Sequence, residues 1–192
     1  MGGLRWKKMR KIISVLLTGG LIGLLTTDSV NAAQTADITV TVTCRMLSVG
    51  VSPSSYAFGA VNESSETVAS SEITVTNNGN VTEDLEVKLT DPGGWTALQS
   101  GTPGEDQYIL GAIFRTSAPT TDDYDDSEDM LSTSYVESTT AIFAKDGDSD
   151  DQKGFNVAAS GTRNLWFYFF APSATTVATQ QSITVTVRAT AS

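Results

Sequence analysis

The chain has 192 residues, of which 22 are acidic and 12 are basic, and it contains no histidine. Its formal charge of −10 argues against nucleic acid as a partner, because a phosphate backbone attracts a basic surface. The lack of histidine excludes Ser-His-Asp and Cys-His catalytic arrangements and removes the commonest zinc ligand. Cys44 is the single cysteine, so an intramolecular disulfide is excluded.

The first 32 residues have the organisation of a secretory signal peptide. Five basic residues lie between Arg5 and Lys11, an apolar run extends from Ile12 to Leu25, and small residues end at Ala32. The apolar run is shorter than the roughly 20 residues that a membrane span needs. We therefore expect cleavage after residue 32 and a secreted protein, extracellular or on the cell surface, without a membrane anchor. The expected product is a single domain, 33–192, with seven basic and 21 acidic side chains and a formal charge of −14.

Alternation of apolar and polar residues predicts strands along much of the chain after residue 36. The alternating segments are 38–46, 73–76, 85–90 and 183–189, and an aromatic run at 165–170 predicts a further strand. The sequence Asn77-Asn78-Gly79-Asn80 predicts a tight hairpin between the second and third of these segments, since Asn-Gly pairs favour such turns. We expect an all-β fold, a two-sheet antiparallel β-sandwich of about eight or nine strands, immunoglobulin-like or jelly-roll-like.

The aromatic segment 165–170 has two predicted faces. One face, directed to the core, holds Leu165, Phe167 and Phe169. The opposite face holds Trp166, Tyr168 and Phe170. This second row predicts a subunit interface, where aromatic residues are enriched. The alternatives are a cover of the protein's own loops and a sugar-stacking platform.

Two acidic loops interrupt the strand pattern, at 117–137 and 145–154. In the second loop Asp146, Asp148 and Asp150 have the D-x-D-x-D spacing of calcium ligands. The loop departs from the EF-hand, because Asp151 occupies the position of the turn glycine and Val157 that of the bidentate glutamate. Calcium is the one cofactor that the sequence suggests, and a solvated acidic loop is the alternative.

Three passages together resemble exported β-sandwich proteins of the TasA/camelysin group. They are the strand and turn at 73–80 followed by Leu85, the segment 165–173 with its Ala171-Pro172-Ser173 end, and the closing strand at 183–187. The resemblance covers about a third of the predicted domain. It implies a jelly-roll-like or immunoglobulin-like sandwich that polymerises into extracellular fibres by lending an N-terminal strand to a neighbour.

Under this resemblance, residues 33–46 are the natural donor strand, with Ile38, Val40 and Val42 as interface residues. Strand addition satisfies an exposed sheet edge and fills pockets with alternate side chains. The alternative is an ordinary first strand within the protein's own sandwich. In either case Cys44 is expected to point inward with Val42 and Met46 as a small apolar residue.

The expected function is that of a structural subunit of an extracellular filament, surface layer or matrix, a pilus-like homopolymer whose partner is a second copy. The alternative is a monomeric secreted binding module for glycan or calcium. We expect no enzymatic activity, because the carboxylates lie in runs on loops rather than singly around a cleft.

Overall fold

The computed structural model describes residues 35–145 and 147–192. The predicted signal peptide at 1–32 lies outside the described residues. The chain divides into two units, Met1–Val42 and Thr43–Ser192. Within the second unit the described residues form nine strands and one short 3-10 helix, Thr121–Asp123. The strands are β1 (Val49–Ser52), β2 (Glu66–Val68), β3 (Ile73–Asn77), β4 (Glu83–Thr90), β5 (Thr96–Leu98), β6 (Gln107–Phe114), β7 (Val136–Glu137), β8 (Thr162–Phe170) and β9 (Thr184–Ala191).

The strands form two sheets, so the predicted all-β sandwich is confirmed. The larger sheet has the order β1-β3-β8-β6-β5, and β2 also pairs with β8. The smaller sheet has the order β7-β4-β9. All strand pairs are antiparallel except β5 with β6, which are parallel. The core between the sheets contains Val75 of β3, Val87 of β4 and Leu165 of β8, each at most 1% exposed.

The predicted hairpin at Asn77-Asn78-Gly79-Asn80 is wrong, because the strands on either side belong to different sheets. β3 pairs with β1 and β8, whereas β4 pairs with β7 and β9. The buried side chain of Asn77 donates hydrogen bonds to the carbonyl oxygens of Val81 and Val157, both at 2.8 Å. This amide satisfies backbone groups where the chain crosses from one sheet to the other, which a two-residue hairpin turn would not require.

β6 lies next to β8 in the larger sheet and was not among the predicted strands. Seven of its eight residues are buried, so its sequence is a continuous apolar run without alternation. A central strand that is covered on both faces has this pattern, and periodicity alone does not identify it. One cover is the first acidic loop, from which Met130 packs in a small cluster with Ile109 and Tyr168.

The alternating segment 38–46 forms no strand in the described structure, and the first strand begins at Val49. The prediction of an ordinary first strand at 37–46 is therefore wrong for this chain by itself. Cys44 is exposed, which corrects the expectation that it points into the core. No strand pairs with residues 38–46 in the described structure, so the inward and outward faces that their alternation predicts are not formed.

No helix among the described residues is both long enough and apolar enough to cross a membrane.

Candidate assembly surface

An open apolar groove runs between the two sheets and has a volume of about 1080 Å³. Its floor is the inner face of the larger sheet, and one side is formed by β9. The rims are two segments without strands, around residues 53–61 and 179–183. Side chains that line the floor and the β9 side include Ile73, Leu110, Leu165, Phe167, Phe169, Val185 and Val187.

Aromatic side chains pack on Phe169 at one end of the groove. The ring of Phe169 lies 5.4 Å from that of Phe58 and 6.2 Å from that of Trp95, measured between centroids. Trp95 is held by a 2.9 Å hydrogen bond from its Nε1 to Thr175 Oγ1. The prediction that Leu165, Phe167 and Phe169 share the inward face of one strand is confirmed by their place on the groove floor.

β9 is the less covered of the two long strands of the smaller sheet. Its inward residues Val185 and Val187 are half-buried, whereas Leu85 and Val87 of β4 have no exposed surface. The difference arises because the groove is open above β9. In a closed sandwich another strand or a loop would cover these valines.

The outer edge of β9 pairs with no strand of the described residues. On β4, the amide and carbonyl of Leu85 bond to Gly154 and Ser138, on the side away from β9. Leu85 is opposite Ala189 in the register. Because bonded and non-bonded pairs alternate in an antiparallel ladder, the backbone groups of Val185, Val187 and Ala189 face away from β4. They form a row of donors and acceptors at a free sheet edge beside the groove.

The predicted interface residues of the N-terminal segment are strongly exposed. Ile38, Val40 and Val42 are 87%, 79% and 82% exposed. Large β-branched side chains at alternate positions are uncommon on a surface, since their burial gives about 1.5–3 kcal/mol each. Their spacing matches one face of an extended strand.

The two acidic loops meet at Arg115, which sequence reasoning missed. Its guanidinium lies 2.6 Å from Asp123 of the first loop and 2.8 Å from Asp148 of the second, and Asp150 is 3.6 Å away. Lys145 also pairs with Asp123 at 2.9 Å. Burial alone would raise the pKa of Asp123, but hydrogen bonds from the Thr120 amide and from Arg115 and Lys145 hold it well below the usual range.

The calcium prediction stays a prediction. Asp146 lies outside the described residues, and the carboxylates of Asp148 and Asp150 contact Arg115. Asp150 also accepts hydrogen bonds from Ser117 and Thr116, which lower its pKa. Within the described part of the chain, no group of three or more potential ligands is placed to hold a metal ion.

The aromatic row opposite the groove floor lies against the protein's own loops. Trp166 is 5% exposed, and its Nε1 donates a 2.9 Å hydrogen bond to the Arg115 carbonyl oxygen. Tyr168 is 6% exposed and packs on Tyr124, with ring centroids 5.3 Å apart. Phe170 is half-buried. This arrangement favours the alternative of a loop cover, and an interface at this row stays a prediction.

Searches of protein-family models, curated proteins and solved structures found no match to this chain. The groove, the free edge of β9 and the exposed N-terminal segment are therefore interpreted from their own chemistry.

Proposed function

We propose that this protein is a structural subunit of an extracellular filament, surface layer or matrix, which assembles by adding residues 33–46 of one copy to a second copy. The acceptor is the groove between the sheets together with the free edge of β9. The proposal includes export through the predicted signal peptide. It assigns no catalytic activity.

The observation that carries the proposal is the coexistence of an unpaired apolar alternation and an uncovered apolar groove in one chain. Ile38, Val40 and Val42 are exposed in the N-terminal segment, and Val185 and Val187 are only half-buried on the β9 side of the groove. Each surface alone is costly to leave in water. Insertion of one into the other removes both from water.

The backbone chemistry favours the same arrangement. A strand added at β9 would bond to the outward backbone groups of Val185, Val187 and Ala189, as in other cases of β-augmentation. The alternate side chains of the added strand would point into the groove, and the threonines between them would face solvent. β9 has eight residues, a length of about 26 Å, so residues 33–46 are long enough to follow it from end to end.

The geometry of the contact favours a polymer. The donated segment and the groove are different surfaces of the subunit, so the contact is head-to-tail. Such a contact makes an open filament when its rotation does not close. The acidic composition, with 22 Asp and Glu among 192 residues, would keep unassembled subunits soluble.

The test is electron microscopy of the purified chain 33–192, with and without calcium, beside a chain that begins at residue 47. We expect filaments of a subunit-sized repeat from the longer chain and folded, monodisperse particles from the shorter one. The shorter chain keeps its groove, so it should also cap growing filaments when it is mixed in below equimolar ratio. Monodisperse particles from the longer chain under both conditions would contradict the proposal and favour the monomeric binding module.

A further inference from the structure

We infer that Asn80 is a positioning residue that holds the root of the donated segment, an inference that rests on the proposed strand addition. The root is defined as residues 44–48, immediately before β1. Asn80 lies in the crossing between β3 and β4, and the predicted hairpin gave no reason to assign it a role.

The side chain of Asn80 forms hydrogen bonds with the backbone of the root, as a neighbouring strand would do. Its Oδ1 accepts a hydrogen bond from the Met46 amide at 2.8 Å, and its Nδ2 donates to the Cys44 carbonyl oxygen at 2.8 Å. The Asn80 amide donates to the Met46 carbonyl oxygen at 3.1 Å. Three hydrogen bonds from one residue thus continue the β1–β3 ladder beyond its last strand pair.

The rest of the crossing holds the other end of the root. The Asn78 amide donates to the Ser48 carbonyl oxygen at 2.6 Å, and the Ser48 amide donates to Glu83 Oε1 at 2.7 Å. Glu83 is completely buried. Cys44 is therefore the most N-terminal residue that this crossing holds, and Ile38, Val40 and Val42 all precede it.

A fixed root affects strand addition in two ways. It leaves residues 33–43 as the part of the segment 33–46 that pairs with a second copy, and it leaves residues 44–48 already ordered in the free subunit. If the root were loose, those residues would lose conformational freedom at the moment of assembly, which weakens association.

The experiment compares Asn80→Ala with Asn78→Ala in the chain 33–192. Asn78 lies in the same crossing and is exposed, and its hydrogen bond to Ser48 uses the backbone amide, which alanine keeps. A third variant, Asn80→Asp, retains the acceptor for the Met46 amide and loses the donor to Cys44. Each variant is measured for the critical concentration of assembly and, as a monomer below that concentration, for hydrogen exchange at the Met46 amide.

We expect Asn80→Ala to raise the critical concentration of assembly at least tenfold and to speed hydrogen exchange at the Met46 amide at least tenfold. The melting temperature of the folded domain should not change. For Asn80→Asp, both the critical concentration and the Met46 exchange rate should lie between those of the native chain and those of Asn80→Ala. For Asn78→Ala, both quantities should match the native chain. Native assembly of Asn80→Ala, or equal losses in Asn80→Ala and Asn78→Ala, would overturn the inference. If the native chain does not assemble, the proposed function fails. The Met46 exchange rate in Asn80→Ala would then still decide whether Asn80 holds the root.

Discussion

The guanidinium of Arg115 lies 2.6 Å from the carboxylate of Asp123 and 2.8 Å from that of Asp148, so it joins the two acidic loops. Arg115 itself is only 9% exposed. Crowded carboxylates repel each other unless a cation lies among them. In this structure that cation is a side chain at the end of β6, so the loops pack against the larger sheet and cover its outer face.

Replacing Arg115 by methionine should destabilise the protein by about 2–4 kcal/mol, because it removes the charge that compensates the half-buried carboxylates of Asp123 and Asp148. Unfolding in urea, followed by circular dichroism, measures the change. The matched control is Arg188→Met, since Arg188 pairs with Glu86 at the surface and its side chain is 49% exposed. In this control we expect the free energy of unfolding to change by about 1 kcal/mol or less. Similar losses at the two positions would contradict a special role for Arg115.

Stability should fall as the pH rises from about 4 to about 7 because of Asp129. Burial, and after it the charges of Asp125 and Glu128, raise the pKa of Asp129 to about 7 against the opposing effect of a hydrogen bond from the Asp125 amide. The pKa of an unfolded aspartate is about 3.9. Folding therefore takes up a proton between these values, and its free energy becomes less favourable as the pH increases.

Asp129→Asn should remove this part of the pH dependence, so the variant should gain stability relative to the native chain by a few kcal/mol between pH 5 and pH 8. Denaturant unfolding at both pH values tests the prediction. Asp123 contributes in a separate range, because its lowered pKa gives stability that is lost only as the pH falls below about 4. Parallel stability curves for Asp129→Asn and the native chain would show that Asp129 titrates normally.

The two faces of the donated segment should respond differently to the same charge. Val40→Asp would bring an unpaired carboxylate into the groove and should weaken subunit addition at least 100-fold, equivalent to about 2.7 kcal/mol. Thr41→Asp adds the same charge on the opposite face and should change addition much less. Critical concentrations from sedimentation measure both. Equal effects of the two substitutions would argue against an inserted strand.

Gly79→Ala should destabilise the crossing between the sheets by about 1–3 kcal/mol. An added Cβ would lie closer than 3.0 Å to Glu83 Oε1 and to the Met46 carbonyl oxygen. The control is Gly93→Ala, since a Cβ there meets nothing within 4 Å. Thermal unfolding measures the melting temperatures of Gly79→Ala and Gly93→Ala. A melting temperature of Gly79→Ala equal to that of Gly93→Ala would mean that the crossing relaxes without cost.

Residue patterns alone predict the fold class and the positions of β3, β4, β8 and β9. In β3, β4 and β9 apolar residues alternate with polar ones, and β8 is recognisable by its run of aromatic residues, so the information lies in neighbouring residues. β6 was not predicted, because its two covered faces remove the alternation. The inward row Leu165, Phe167 and Phe169 was predicted for the same local reason that identified β8.

Residue patterns do not show which segments of the chain are in contact. The Asn77–Asn80 turn passes between sheets because β4 pairs with β9, about a hundred residues away. The contacts of Arg115 with Asp148 and of Asn80 with Met46 join residues more than 30 positions apart. The groove exists because no described strand covers β9. Strand pairing and charge compensation of this kind depend on long-range packing. A local residue pattern does not show which distant residue or strand will be the partner.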